Sequence, residues 1–564
     1  MKKFLMNSLM LLAAGVIATS CADYNETTNF SADPDPSKEL PYTEYDAVKT
    51  YIDKDKYPNL TIGATLDITK FNKQELEHAA AMSNFDDLTF GKTLMSGSII
   101  SPKGIMNFIS LMDLLEHMDE VGGTVFGSPL VANANQPDEW IKTLTAPIEI
   151  PVDYVEGKTV NYNDYPLGAY DGTVTAGNVS IVKYDGQNVL GLLKSGSGLQ
   201  AKAASARLAE GVALEPGATY TVTFWANTAK DNASFNITFA DNKVMGTATD
   251  DGKWKIPGGK WTKVSFESKA AEDATEGYVQ IDMVKGQEMY VQKIEVGYFP
   301  DNHRPQTEEE RNDTINYALN AWIDGFMKIN EGRISTFDLI DEPIDDNTLL
   351  ENEKYYDLKH SSNKDQVFWQ DVLGSENYAP EVAKIARESF EKHGGDPAEL
   401  KFYISETGLE DTNKMESLKY WINIWDANGA KIDGINAKVN LVYYENEEKQ
   451  AANKKAYETL LASLASTGKL IRISNFDIKY VDSNNINVTA ANITKEQREK
   501  LAEYNAYAIK AYMSKIPSDK QAGICKANIV DTSDPVGLWS QDSKTKDWVR
   551  SATYKAWCDA LSGK

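Results

Sequence analysis

The chain has 564 residues, too many for one compact domain, and a formal charge of −25 from 58 basic and 83 acidic side chains. That balance, with no basic stripe, excludes nucleic acid as a natural partner, because phosphate binding needs clustered Lys and Arg. A neutral polymer suits such a surface better, and the charge itself serves solubility.

The first 21 residues read as an export signal. Lys2 and Lys3 precede an apolar run from Leu5 to Ile17, and Ala18-Thr19-Ser20 lead directly into Cys21. This ending resembles the bacterial lipobox, in which the cysteine is lipidated and becomes the new N-terminus. It implies a membrane contact through the lipid anchor only. No other segment has the roughly 18 apolar residues that span a bilayer. Residues 22–45 are polar, without helical or strand period, and read as a flexible tether.

Residues 46–149 alternate short apolar runs with helical patterns, the runs falling at 61–66, 86–90 and 124–132. From 150 to 299 the helical period disappears. Short β-rich runs take its place, among them 220–227, 233–240, 260–268 and 278–284, punctuated by Gly, Asp and Asn. After residue 300 the alternation resumes. Thr307 and Glu310 form a capping box ahead of Ile315, Leu319, Trp322 and Phe326 at helical spacing, and Thr494 with Gln497 opens another helix. Strands are expected at 335–341, 400–405, 434–443, 469–478 and 522–530. Eight strands alternating with helices predict an α/β fold: a (β/α)8 TIM barrel, with 150–299 as an all-β jelly-roll sandwich inserted after the third strand. In the seventh strand, Ile471, Ile473, Asn475 and Asp477 alternate onto one face, expected to point into the barrel.

The five histidines (His78, His117, His303, His360, His393) show no metal-ligand spacing, so neither a metal nor another cofactor is expected. Cys525 and Cys558 can pair in an oxidising compartment; two buried free thiols are the favoured reading.

The segment 335–343, STFDLIDEP, resembles the WDVVNEP motif of glycoside hydrolase family 10, the xylanase-like barrels, and 469–478, KLIRISNFDI, resembles that family's VRITELDI strand. The resemblance implies that Glu342 holds the general acid/base position and that Asn475 replaces the nucleophile. A retaining glycosidase needs two carboxyl groups about 5–5.5 Å apart, and an amide cannot form its covalent intermediate. Other cleft positions depart as well. Lys438 and Asn440 stand for a glutamine and a histidine; Ser128, Ala132 and Asn133 for histidine, tryptophan and histidine. Gly91, Lys92 and Met95 replace sugar-binding residues, and Ala527 a tryptophan. Glu342 then either contacts a ligand together with Asn440 and Asn475, or holds a loop. Glu406 and Asp411 are nearby carboxylates for a rearranged mechanism.

Within 150–299, the stretches 212–227, 258–267 and 289–299 resemble family 4/9 carbohydrate-binding modules. Trp225 and Trp261 alternate into apolar strands and are expected in the core. Trp254, Tyr162, Tyr165 and Tyr170 lie in polar, turn-like settings and are the expected platforms for sugar stacking. Anchor, barrel and module together resemble surface lipoproteins of Bacteroidetes. They imply an outer-membrane protein facing the exterior that captures a polysaccharide, xylan or a related β-glycan, beside an outer-membrane glycan importer. An active endo-β-1,4-xylanase-like hydrolase with an altered carboxylate pair, and a structural surface protein, are the competing readings.

Overall fold

The computed structural model describes residues 29–30, 41–231, 233–246, 252–351, 354–362, 366–542 and 544–564. The signal segment, Cys21 and most of the tether expected at 22–45 lie outside the described residues. Two compact units are present, one from residues 1–146 and 307–564, the other Pro147–Gln306.

The first unit is a parallel barrel. Its strands are β1 (Thr61–Thr65), β2 (Asp87–Thr89), β3 (in two segments, Thr124–Val125 and Val131–Ala132), β4 (Thr336–Asp341), β5 (Lys401–Thr407), β6 (Gly434–Lys438), β7 (Leu470–Ser474) and β8 (Gln521–Lys526). They run side by side in the order β3-β2-β1-β8-β7-β6-β5-β4-β3. The two segments of β3 occupy opposite ends of that row, and a parallel bridge between Gly127 and Phe337 completes the closure.

Amphipathic helices pack outside. They include α1 (Leu76–Asn84), α2 (Ile109–Val121), α3 (Glu308–Asn330), α4 (Tyr378–Lys392), α5 (Thr412–Ala427), α6 (Glu447–Ala465), α7 (Lys495–Lys515) and α8 (Ala552–Leu561). Both expected capping boxes form, at Thr307/Glu310 and Thr494/Gln497, each satisfying two otherwise orphaned backbone N–H groups. Among the described residues no helix is long and apolar enough to cross a membrane.

The barrel interior is polar where such barrels are ordinarily filled with branched apolar side chains. Arg472 of β7, 1% exposed, makes a bidentate ion pair with Asp87 of β2 at 3.0 and 2.8 Å and stacks 4.1 Å over the Phe126 ring. Gly63 of β1 makes room for it, since a Cβ there would stand 2.3 Å from Asp87 Oδ1 and 2.7 Å from Arg472 Nη2. This reverses the parity expected for β7. Arg472 points inward, while Ile471 and Ile473 join the apolar layer shared with the helices. The physical reason is that both faces of a barrel strand are buried, so apolar alternation does not say which face meets the axis.

Pro147–Gln306 is a sandwich of antiparallel sheets. One sheet contains, in order, Thr262–Lys269, Thr219–Asn227, Met289–Tyr298, Gln187–Leu193 and Asn178–Tyr184; the other contains Ala233–Phe239, Glu276–Met283 and Ser205–Ala213. Between them lies a core of Tyr220, Val222, Phe224, Phe235, Ile237, Val279, Ile281, Ile294 and others. The ends of the unit meet in a short antiparallel pair, His303–Arg304 against Ile148–Glu149, which lets the unit enter and leave a single loop. Cys525 and Cys558 are both buried and free.

Candidate functional site

The C-terminal ends of the strands surround a cleft of about 380 Å³. Its lining includes Lys92, Ser128, Asp338, Asp341, Glu342, Lys438, Asn440, Asn475 and Ala527, and among the described residues no aromatic side chain. Asp338, Asn436, Lys438 and Ser474 reach it by ordinary strand alternation. Glu342 and Asn475 do not: each sits one residue past its strand in the left-handed region, at φ 47° and 56°. Such a backbone is costly for a residue with a Cβ, and it re-aims both side chains into the cleft.

Burial raises the Glu342 carboxyl, but the Lys438 ammonium, aided by Lys359 and Lys414, outweighs burial and holds it below the ordinary glutamate value. Lys438 Nζ donates to Glu342 Oε1 at 3.0 Å and also to Asp341, while Lys359 stands 3.9 Å from Glu342 Oε2. Burial lowers the Lys438 ammonium, and Asp341 with Glu342 more than reverses this, so it stays charged. Beneath this triad Asp338 is fully buried and takes two hydrogen bonds from Asn436 at 3.2 and 2.9 Å; burial, with the Asp341 charge, pushes its carboxyl up to about 7. Asn475 Nδ2 donates to Val439 O and Asn440 Oδ1, both at 3.2 Å, which brings two of the expected ligand-contacting amides together.

The carboxylates considered for a rearranged mechanism are committed elsewhere. Glu406 is fully buried, accepts from the Ile344 and Thr407 amides at 3.0 Å, and pairs with Lys414 at 3.1 Å. Burial nevertheless leaves its carboxyl raised. Asp411 caps α5, accepting from Asn413 N at 2.8 Å. Asp477 is held by Lys526 and by Asn528 Nδ2 at 2.7 Å.

In the sandwich the expected placements of Tyr162, Trp225 and Trp261 are corrected. Tyr162 is fully buried and donates to Leu208 O at 2.6 Å, so it is a core residue rather than a platform. Tyr170 donates to Arg207 O at 2.7 Å, and Tyr165, Tyr170 and Trp254 pack against the core as partly buried rings. Trp254 also donates to Val244 O at 3.1 Å. Trp225 and Trp261, expected inside, stand outside the core at partial exposure. Aromatics in polar stretches turn inward here because their hydroxyls find buried carbonyls, which sequence context alone does not reveal.

The outer face of the second sheet carries a polar patch that sequence reasoning missed. Ser205, Asp282 and Asn236 lie in one cross-strand row, and Arg207, Gln280 and Thr238 in the next. Arg207 sits 3.7 Å over the Tyr278 ring, and Gln280 Nε2 donates to Asp282 at 2.9 Å. Arg207 Nε and Asn236 Oδ1 are buried without a partner among the described residues. Its only signal in the sequence is the outward parity of these polar residues between apolar ones.

Residues 298–541 match the family model described as glycosyl hydrolase family 10, and 157–286 match the model of a carbohydrate binding domain. No curated protein sequence matches the chain. Among solved structures, a GH10 endoxylanase retrieved from a sugarcane soil metagenome aligns with a TM-score of 0.50 at 11% identity, covering 91% of this chain and 99% of its own. Xylanase B from Clostridium stercorarium F9 aligns at 0.48, 12% identity, 91% and 99% coverage. Penicillium canescens endo-1,4-beta-xylanase XylE aligns at 0.47, 12% identity, 92% and 98% coverage. At these identities the likeness to the endoxylanase speaks for the fold alone. The chain therefore carries a glycosyl hydrolase family 10 domain of TIM-barrel fold, together with an all-β carbohydrate binding domain lying between its third and fourth strands.

Proposed function

We propose that this chain is a non-hydrolytic glycan-binding protein that captures xylan or a related β-glycan. One observation carries the reading: the carboxyl at the acid/base position, Glu342, is ion-paired to Lys438, and its expected partner is the amide of Asn475. A general acid must hold a proton near neutral pH, whereas Glu342 is stabilised as the anion, and the position expected to attack the anomeric carbon carries the amide of Asn475. Among the described residues the cleft also offers no ring on which a sugar can stack. Glycan capture falls to the sandwich, whose polar patch offers a buried donor, Arg207 Nε beside Tyr278, and a buried acceptor, Asn236 Oδ1, neither with a partner among the described residues. Desolvated groups of this kind are costly without a ligand to satisfy them.

The lipobox-like ending at Cys21 supports a lipid-anchored protein on the outer face of an outer membrane, presenting glycan to an importer. Substitution of Cys21 by Ala would then release it from the membrane fraction. Calorimetry of the full chain against xylan, mixed-linkage glucan and mannan tests the binding, with reducing-sugar release measured in parallel. Binding of at least one polymer without release is expected; silence on all three defeats capture, and release that Glu342→Gln abolishes defeats the non-hydrolytic reading.

A hydrolytic reading draws on Asp338, whose carboxyl is pushed up to about 7. It is weaker, because that carboxyl is fully buried and hydrogen-bonded to Asn436 on the cleft floor.

A further inference from the structure

The sheet opposite the polar patch carries a second surface. Tyr184 and Tyr290 stack at 3.8 Å and 11°, and Trp261 stands edge-on to Tyr184 at 6.1 Å while its indole N–H donates to Asp185 at 3.0 Å. On the strand Thr219–Asn227, Trp225 lies in register with Lys263 on one side and Lys293 on the other; their ammonium groups stand 5.5 and 5.8 Å from its ring. Trp225, Trp261, Tyr184 and Tyr290 are partly exposed and none joins the sandwich core.

Four large rings clustered on the outside of a sheet form the kind of partly exposed aromatic patch that marks an interaction site, and carbohydrate rings present the apolar C–H faces that stack on them. The lysines add a charge requirement. Lys293 is paired with Glu295, but Lys263 has no carboxylate partner among the described residues. A neutral glycan gives an ammonium nothing but hydroxyls, whereas a uronic acid branch supplies the missing anion.

We propose that this outer face is a second glycan-binding surface, selective for a β-glycan bearing uronic acid substituents. Sugar rings lie along Tyr290, Trp261 and Trp225, and the carboxylate is taken by Lys263, with Lys293 beside it. The inference rests on the glycan-binding reading above and adds to it a second surface and a ligand class. Two surfaces on one tethered module also strengthen retention of a long chain through effective concentration.

The test is calorimetry of the full chain with three probes: a xylo-oligosaccharide carrying a glucuronic acid branch, the same compound after carboxyl reduction, and unbranched xylohexaose. The acidic probe is expected to bind about fivefold tighter than its reduced form, a margin that 0.5 M salt, roughly screening distance 4 Å, removes. Lys263→Gln with Lys293→Gln, a conservative surface pair, should erase the margin between the acidic and reduced probes. Trp225→Ala should weaken the acidic probe by about tenfold or more, with an unchanged thermal melt as the folding control. Equal affinity for the acidic and reduced probes, or a margin that survives the double lysine variant, overturns the proposal. If xylohexaose binds and only Tyr278→Ala or Asn236→Ala reduces it, the glycan-binding reading stands and this surface falls; absence of binding by all three probes overturns this proposal, while the glycan-binding reading is decided by the polymer panel.

Discussion

Lys438 Nζ stands 3.0 Å from Glu342 Oε1, so the carboxyl that follows β4 is ion-paired to a side chain of β6, two strands away in the barrel. The pair makes the cleft electrostatically self-contained, and it governs what repairs to the site can achieve.

Asn475→Glu alone should not create a hydrolase. The new carboxylate would enter a cleft in which Glu342 is held as an anion by Lys438, a poor state for a proton donor. Reducing-sugar release from xylan is expected to stay at the level of the unaltered protein; a clear rise would show that the Lys438 pair yields to substrate.

Lys438→Met should leave Asp338, Asp341 and Glu342 without their shared counter-ion. The Asp338 and Glu342 carboxyls then shift upward, and a carboxyl raised on folding favours the protonated state, so stability falls as pH rises through the raised value. A loss of about 2 kcal/mol is expected at pH 8 and a smaller one at pH 5. Urea melts at the two pH values measure the difference; an equal loss at both would contradict the carboxylate-repulsion account.

Arg472→Met should be the most damaging of these changes. It strands Asp87, 6% exposed, as a buried unpaired charge, at a cost of about 3–5 kcal/mol. Gly63→Ala should also destabilise, because its methyl group collides with both partners of the pair. Denaturant titrations of the two variants, and of the double variant, should show losses that do not add.

His78 and His117 face each other with Nε2 atoms 2.5 Å apart between α1 and α2. Burial, then the His117 charge, lowers His78 to about 4. A histidine depressed on folding contributes stability that is complete above about 6.5 and is lost as pH falls toward 4. Acid melts of the intact chain should show a loss of about 2–3 kcal/mol across that window, and His78→Gln should flatten it.

Tyr162→Phe should cost about 1 kcal/mol by leaving the Leu208 carbonyl unpaired, and should leave glycan affinity unchanged. Calorimetry alongside a thermal melt separates this core role from the platform role that its sequence setting suggested.

Sequence by itself determined the order of elements. Eight apolar runs spaced by helical periods, with a β-rich interruption at 150–299, are enough to place every barrel strand, because burial on both sides writes continuous apolar runs and amphipathic helices write a 3.6 period. It also showed the amide at Asn475 and the lysine at 438, since chemistry is read directly from residue type. Tertiary structure alone decided which faces these residues occupy. Arg472 points inward because Gly63 leaves it space, Asn475 turns into the cleft through a left-handed backbone, and Lys438 finds Glu342 two strands away in the barrel and 96 positions away in the chain. In the sandwich, Tyr162 went inward and Trp225 outward for the same reason: hydrophobicity says that a ring is worth burying, but only the partners brought together by folding say where.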